Sequence, residues 1–339
     1  MKAERPIVFA FACALALVGV VCGKLGGKGG GDDNLPTSGI IPFSEIEQDE
    51  TFRFTGPAVT LEGATQIGGA AVLAVDGRYR MWFAATRDGE TAIYVATSDD
   101  GLRFVAEPTP LLRPSADWHG TSLAAPSIVR RSGGFELYLE ANDGTAIARA
   151  SSLDGTAFVL EPAPVLSPGL DWEEGRVASP SAVLDGERLL LFYEGGQGKG
   201  IGLALSEGGA AFVKSPQPLL APSGDEGRWD TTFIGTPRVI RVVQVTGRPI
   251  FRLYFAGGKD ARRSIGYAGS FDGLQFSPFV ENPIFVPREN VIEPCVIPFQ
   301  SGFMMYFNRI SGSRTGIFLA GHRLRGPYGP AESDASDGD

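Results

Sequence analysis

Five carboxylates and one loop histidine are the side chains of this 339-residue chain whose types and settings could do chemistry. Glu140 and Glu194 each close an apolar, aromatic run. Glu174 and Asp230 follow Trp172 and Trp229 within two residues, and Glu293 stands directly before Pro294. Carboxyls in unlike surroundings can divide into a proton donor and a proton acceptor. Arg176, Arg238, Asn308 and Arg309 stand near them as donors for a polar ligand. His119 has no second histidine, cysteine pair or calcium-loop pattern beside it, so no metal and no cofactor is expected. Nothing matches a serine nucleophile elbow, a phosphate-binding loop or a dinucleotide fingerprint.

The elements that must position these residues follow from a repeat. Ser98-Asp99-Asp100-Gly101-Leu102-Arg103-Phe104 returns at Ser152–Phe158, at Ser206–Phe212 and at Ser270–Phe276, its serines 54, 54 and 64 residues apart. Trp118, Trp172 and Trp229 keep the same beat, each eight residues before a proline (Pro126, Pro180, Pro237), and Pro294 follows without its tryptophan. A period of this length means blades or arrays. Asp-Gly between alternating apolar runs marks a hairpin.

Each repeat holds four short strands, and no segment carries a run at helical spacing, so the fold class is all-β. Four-stranded units repeated radially are propeller blades. Second strands at Tyr79–Ala84, Phe135–Glu140, Arg188–Glu194, Phe251–Ala256 and Phe303–Asn308 make five of them. The fifth ends at His322-Arg323-Leu324 without an outer strand of its own. Thr51–Leu61 has strand character and no blade, and is expected to supply that strand and close the ring.

In such blades the loop into the first strand and the loop from the second strand to the third open on one face. Those loops hold His119, Glu173, Glu174, Arg176, Arg228, Asp230, Arg238, Glu293, Asn308 and Arg309, so a site is expected there. The opposite face collects the Asp-Gly turns, which turn chemistry explains. Tryptophans at one register fit packing between blades better than sugar stacking. Glu140 and Glu194 are expected to be salt-bridged by Arg176 or Arg238, because an unpaired buried carboxylate is costly.

At the amino terminus Lys2 and Arg5 precede an uncharged apolar run, Ile7 to Val21, that ends at Cys22 and is followed by a Gly-rich hydrophilic stretch. The run has the length of a signal-peptide core. The arrangement resembles a bacterial lipoprotein signal, which implies lipidation at Cys22, although Val21 is larger than the residue usual before that cysteine. Cys295 would then be the one free thiol and no internal disulfide could form. The expected division is a signal segment at 1–22, a tether at 23–50, a propeller at 51–325 and an acidic disordered tail at 326–339. A formal charge of −9 argues against nucleic acid or an anionic membrane surface as partner. A monomer held to the cell envelope only by its lipid is expected.

Leu189-Leu190-Leu191-Phe192-Tyr193-Glu194-Gly195-Gly196, the Ser-x-Asp-Gly-x-x-Phe turns and Pro-x-Val at the inner strands together resemble the five-bladed propeller superfamily of glycoside hydrolases. That group holds families 43, 32 and 130, and the resemblance covers roughly Phe52 to Leu324. It implies a carbohydrate ligand in the central funnel. Family 43 also implies three carboxylates at the starts of the first three inner strands, where this chain has Gly68-Gly69, Ala124-Ala125 and Ala178-Ser179. Inverting glycoside hydrolysis needs one carboxyl to protonate the leaving oxygen and another to activate water. Two readings follow. One is a binding protein whose funnel takes a carbohydrate or another small polar ligand without turnover. The other is a hydrolase or phosphorylase with a relocated pair, Glu293 with Glu174 or Asp230.

Overall fold

A computed structural model describes residues 44–45, 57–243, 248–299, 302–312 and 314–322. The signal segment, most of the tether and the acidic tail lie outside the described residues. The strands form five separate sheets of four or five strands, the blades of one propeller. Among the described residues there is no α-helix, only single 3-10 turns at Asp117–His119, Asn142–Gly144 and Asp171–Glu173.

The five inner strands are Gln66–Val75, Leu123–Arg131, Val177–Asp185, Phe233–Val243 and Asn290–Phe299. Each pairs antiparallel with a second strand: Arg78–Arg87, Gly134–Ala141, Arg188–Gly195, Pro249–Lys259 or Gly302–Ser311. All five second strands read from the sequence are present. They form because their residues alternate between two apolar faces. In blade 3, Leu189, Leu191 and Tyr193 turn toward blade 2, whereas Leu190 and Phe192 turn toward blade 4. In blade 1, Met81 and Phe83 pack on blade 5 while Trp82 packs on blade 2. The core is therefore five apolar seams, one between each pair of successive blades.

The ring closes through the amino-terminal residues, but not as the sequence suggests. Ser44–Glu45, residues assigned to the tether, form the outer strand of blade 5, antiparallel to Arg314–His322. Of Thr51–Leu61, residues 51–56 lie outside the described residues, and Val59–Thr60 adds a parallel fifth strand to blade 1 beside Phe104–Ala106. Ala58 ties the two blades directly. Its amide donates to the Ile317 carbonyl of blade 5 at 2.7 Å, and its carbonyl accepts from the Phe104 amide of blade 1 at 2.9 Å. A two-residue strand has no periodicity to read, so the pairing is decided by which sheet edge lies alongside.

The Ser-x-Asp-Gly turns are structural devices. Ser152 Oγ accepts the Gly155 amide at 2.9 Å, while Asp154 Oδ1 accepts from Thr156 and Ala157 at 2.8 and 3.1 Å. The turns at Ser98 and Ser270 repeat this pattern. Arg80 of blade 1 donates to the Gly155 carbonyl at 3.0 Å, and Tyr306 of blade 5 donates to the Gly101 carbonyl at 2.7 Å. Each of these turns is clasped by the blade before it.

Candidate functional site

Every inner strand begins with a bulge, and the bulges form a ring about the propeller axis. The register slips between Gly68 and Ala71, Ala124 and Ser127, Ala178 and Ser181, Gly235 and Arg238, and Ile292 and Cys295. The residues inside the slips, Gly69, Ala125, Ser179, Thr236 and Glu293, all have φ between 44° and 62°. Only glycine adopts that conformation freely, so the other four need outside support. Pro126, Pro180, Pro237 and Pro294 follow them and line the axis. The cavity they enclose with Arg238 and Glu293 is about 20 Å³. That is room for one water molecule, against the roughly 300–1,000 Å³ of pockets that bury a small molecule.

Side chains from the preceding blade supply that support for Ser179, Thr236 and Glu293, and hold Gly69 as well. Opposite the bulges, at one register of the second strands, stand Ala84, Glu140, Glu194, Ala256 and Asn308. The Ser179 amide donates to Glu140 Oε2 at 3.0 Å, and the Thr236 amide donates to Glu194 Oε2 at 2.9 Å. The Gly69 amide donates to Glu293 Oε2 at 2.8 Å and to Asn308 Oδ1 at 3.2 Å. Asn308 Nδ2 also donates to Glu293 Oε2, and the Glu293 amide donates to Thr236 Oγ1 at 3.1 Å. Polar side chains thus fasten four of the five bulges.

These contacts bring Glu140, Glu194 and Glu293 into one electrostatic cluster. Burial pushes the Glu293 carboxyl up to about 7, helped by the charges of Glu140 and Glu194 and opposed by the Gly69 amide and by Arg238. Burial likewise pushes Glu194 up to about 7, and it raises Glu140 despite the neighbouring Arg176 guanidinium. Glu293 lies deep among protein atoms yet keeps part of its surface open, whereas Glu140 and Glu194 are buried.

The expected salt bridge forms between Arg176 Nη2 and Glu140 Oε1 at 3.0 Å. Glu194 differs, because its second oxygen takes the Gly198 amide at 3.1 Å in place of an arginine. Arg238 reaches across the axis, and its Nη2 donates to the carbonyls of Ala70 and, at 3.4 Å, Pro126. Arg309 lies 4.0 Å over the Phe318 ring.

The residues after the tryptophans turn inward instead of toward a ligand. His119 is buried, and its Nδ1 accepts the Ser115 and Ala116 amides at 3.0 Å each. Burial lowers its pKa below the usual histidine value. Glu173 accepts the Gly169 and Leu170 amides at 2.7 and 2.9 Å and pairs with Lys214 at 2.6 Å. Asp230 is bound through both oxygens by Arg228 at 2.9 Å, and Glu174, exposed, pairs with Lys199 at 3.3 Å. The structure therefore groups Glu293 with Glu140 and Glu194, and engages Glu174 and Asp230 elsewhere. The tryptophans pack: Trp172 stacks on Tyr193 with ring centres 5.9 Å apart, and a Cβ at Gly195 would fall 2.1 Å from its ring. The larger cavity, about 770 Å³, is an open groove on the turn face between blades 2 and 3, lined by Arg130, Phe135, Leu153, Val159 and Glu187.

No protein-family model matches the chain, and no curated protein does. Solved structures do. One described as a glycoside hydrolase superposes with a TM-score of 0.67 at 15% identity over 80% of this chain and 91% of its own. The fold is that of the glycoside-hydrolase-like five-bladed propellers. A member of the family 130 mannoside phosphorylases, from work on hydrolases that target β-1,2 mannosidic linkages in Candida mannan, matches at a TM-score of 0.65 and 15% identity. It covers 84% of this chain and 95% of that one. A thermostable family-43 glycoside hydrolase matches at 0.61 and 18% identity, over 80% and 94%. At such identities the likeness carries the fold and no site residue. In this glycoside-hydrolase-like propeller, the positions that the family-43 resemblance gives to carboxylates are bulges of Gly69, Ala125 and Ser179.

The ring of bulges was not legible in the sequence, because αL conformation at Ala125, Ser179 or Thr236 leaves no residue signature. The x-Pro pairs at the repeat's register were its only trace. Arg263, half-buried in the third strand of blade 4, was also missed, because the repeat does not fix the residue type there: the same register holds Thr91, Thr145 and Lys199 in blades 1 to 3.

Proposed function

We propose that this chain is a bacterial envelope lipoprotein, anchored through Cys22, whose propeller binds a carbohydrate on the face that carries the bulge ring and does not hydrolyse it. The observation that carries this reading is the use to which the central acids are put. Glu140 holds the Ser179 amide with one oxygen and the Arg176 guanidinium with the other, Glu194 holds two backbone amides, both are largely buried, and the ring floor has room for a water molecule only. Hydrolysis requires two carboxyls standing free on either side of a glycosidic bond. Binding requires only hydrogen-bonding groups around an accessible surface.

A second reading, an active glycoside hydrolase or phosphorylase, draws on one observation. Glu293 and Glu194 are both pushed up to about 7, the range in which a carboxyl serves as general acid near neutral pH. In that case Glu293 is the acid, because it is the one of the three with open surface.

The test is a glycan microarray probed with the full chain, coupled to mass spectrometry of released sugars. Binding without products supports the first reading. Products that disappear in Glu293→Gln while binding persists establish the second.

A further inference from the structure

Around the bulge ring the carboxylates are committed within the protein, whereas two guanidiniums donate only to carbonyls. Glu140 takes Arg176 and the Ser179 amide, Glu194 takes the Gly198 and Thr236 amides, and Glu293 takes the Gly69 amide and Asn308. The two guanidiniums beside them are those of Arg238 and Arg263. Arg238 lines the axial cavity and gives Nη2 to two carbonyls. Arg263 gives Nη1 to the carbonyls of Asp260 and Arg262 at 2.6 and 3.1 Å, with its Cζ 4.0 Å from the centre of the Phe233 ring. Among the described residues neither has a carboxylate within ion-pair distance. Both belong to the acid cluster: the charge of Arg238 acts on Glu293, and that of Glu194 acts on Arg263.

Their remaining N–H groups are therefore cationic donors without an anionic partner, on a face whose own carboxylates are already occupied. A guanidinium fork is shaped for bidentate contact with a carboxylate, and stacking on an aromatic ring fixes its plane in advance. The fixing of Arg263 is built into the backbone. A Cβ at Gly258 would fall 1.9 Å from the Arg262 carbonyl, so the strand pairing requires glycine there, and the Arg263 guanidinium lies over that glycine with Nη1 2.9 Å from the same point. A neutral sugar would offer these donors hydroxyls only, whereas a uronate offers the carboxylate that the fork fits.

We propose that the ligand of this face is an acidic saccharide, a glycan bearing uronate carboxylates, and that Arg263 and Arg238 select it. The inference rests on the carbohydrate reading above and adds the charge of the ligand to it.

The test uses matched pairs. Oligosaccharides of galacturonate, glucuronate and mannuronate are each compared with the carboxyl-reduced counterpart, by calorimetric titration into the full chain. The expected result is at least one pair in which the acid form binds about tenfold or more tightly, a preference that weakens as salt is added. Arg263→Gln should remove that preference, and Arg263→Lys, which keeps the charge without the fork, should restore part of it. Thermal melts of both variants establish that they fold. Arg238→Gln is the second variant, should Arg263→Gln not fold. Equal or tighter binding of the reduced forms overturns the acidic-ligand inference and leaves the carbohydrate reading standing. No binding of either form in any pair overturns both.

Discussion

Glu194 Oε2 accepts the Thr236 amide at 2.9 Å across the boundary from blade 3 to blade 4. The contact fastens a non-glycine residue at φ 45° and makes the acid part of the backbone's own hydrogen bonding. Glu194→Ala leaves the amides of Thr236 and Gly198 without acceptors in a buried setting, at about 1–3 kcal/mol for each orphaned group. Urea unfolding at neutral pH should show that loss, with Glu194→Gln, which retains one acceptor, losing less. An alanine variant as stable as the parent would mean the bulge stands without its carboxylate.

The same burial gives the acid cluster a pH signature. Glu194 and Glu293 are pushed up to about 7 from 4.5. Between those values the folded chain holds protons that the unfolded chain has released. The stability from these two groups is therefore full below about 4.5 and falls as pH rises through about 7. Asp100 and Asp272, held below the usual range by turn amides against the effect of burial, act in the opposite sense and lose stability as pH falls. Comparing melting temperatures of the parent and the Glu194→Gln, Glu293→Gln double variant isolates the cluster. The parent should lose stability between about pH 5 and 7 relative to the variant, and parallel profiles would refute the raised pKa values.

Besides Ser44–Glu45, one residue links blades 5 and 1 through its backbone. Ala58→Pro removes the amide that donates to Ile317 at 2.7 Å and leaves that carbonyl unpaired between blades 5 and 1. A loss of about 1 kcal/mol or more is expected, with faster unfolding, because the amino-terminal residues are the clasp of the ring. Unchanged melting and unfolding kinetics would show that Ser44–Glu45 suffices.

For the anchor, Cys22→Ala should move the protein from the membrane fraction to the soluble one and abolish metabolic labelling by lipid. Labelling that survives the substitution rules out this acylation site.

How far the sequence could be read depended on whether a feature repeats. The Ser-x-Asp-Gly turns and the aromatic second strands recur at a fixed beat and were enough to count five blades. The packing role of Trp172 was legible for the same reason. Ser44–Glu45 carries no strand signature at all, and Val59–Thr60, which does, belongs to the other side of the seam. Glu140, Glu194 and Glu293 could each be placed on the face that carries the bulge ring. Their grouping could not be, because Glu174 and Asp230 lie on the same loops and differ only in having Lys199 and Arg228 close by. The bulges that use these acids are held by hydrogen bonds between blades, which local residue types do not encode.

The most direct measurement of the central claim is the fate of a bound glycan. The full chain, incubated with the glycans it retains on a microarray, should return them unchanged by mass spectrometry. Exchange protection should fall on the bulge-ring face around Ser179, Thr236 and Glu293. Shortened products that require the Glu293 carboxyl would contradict the account and make the protein an enzyme. Protection confined to the groove between blades 2 and 3 would contradict it as well, by placing the ligand on the opposite face.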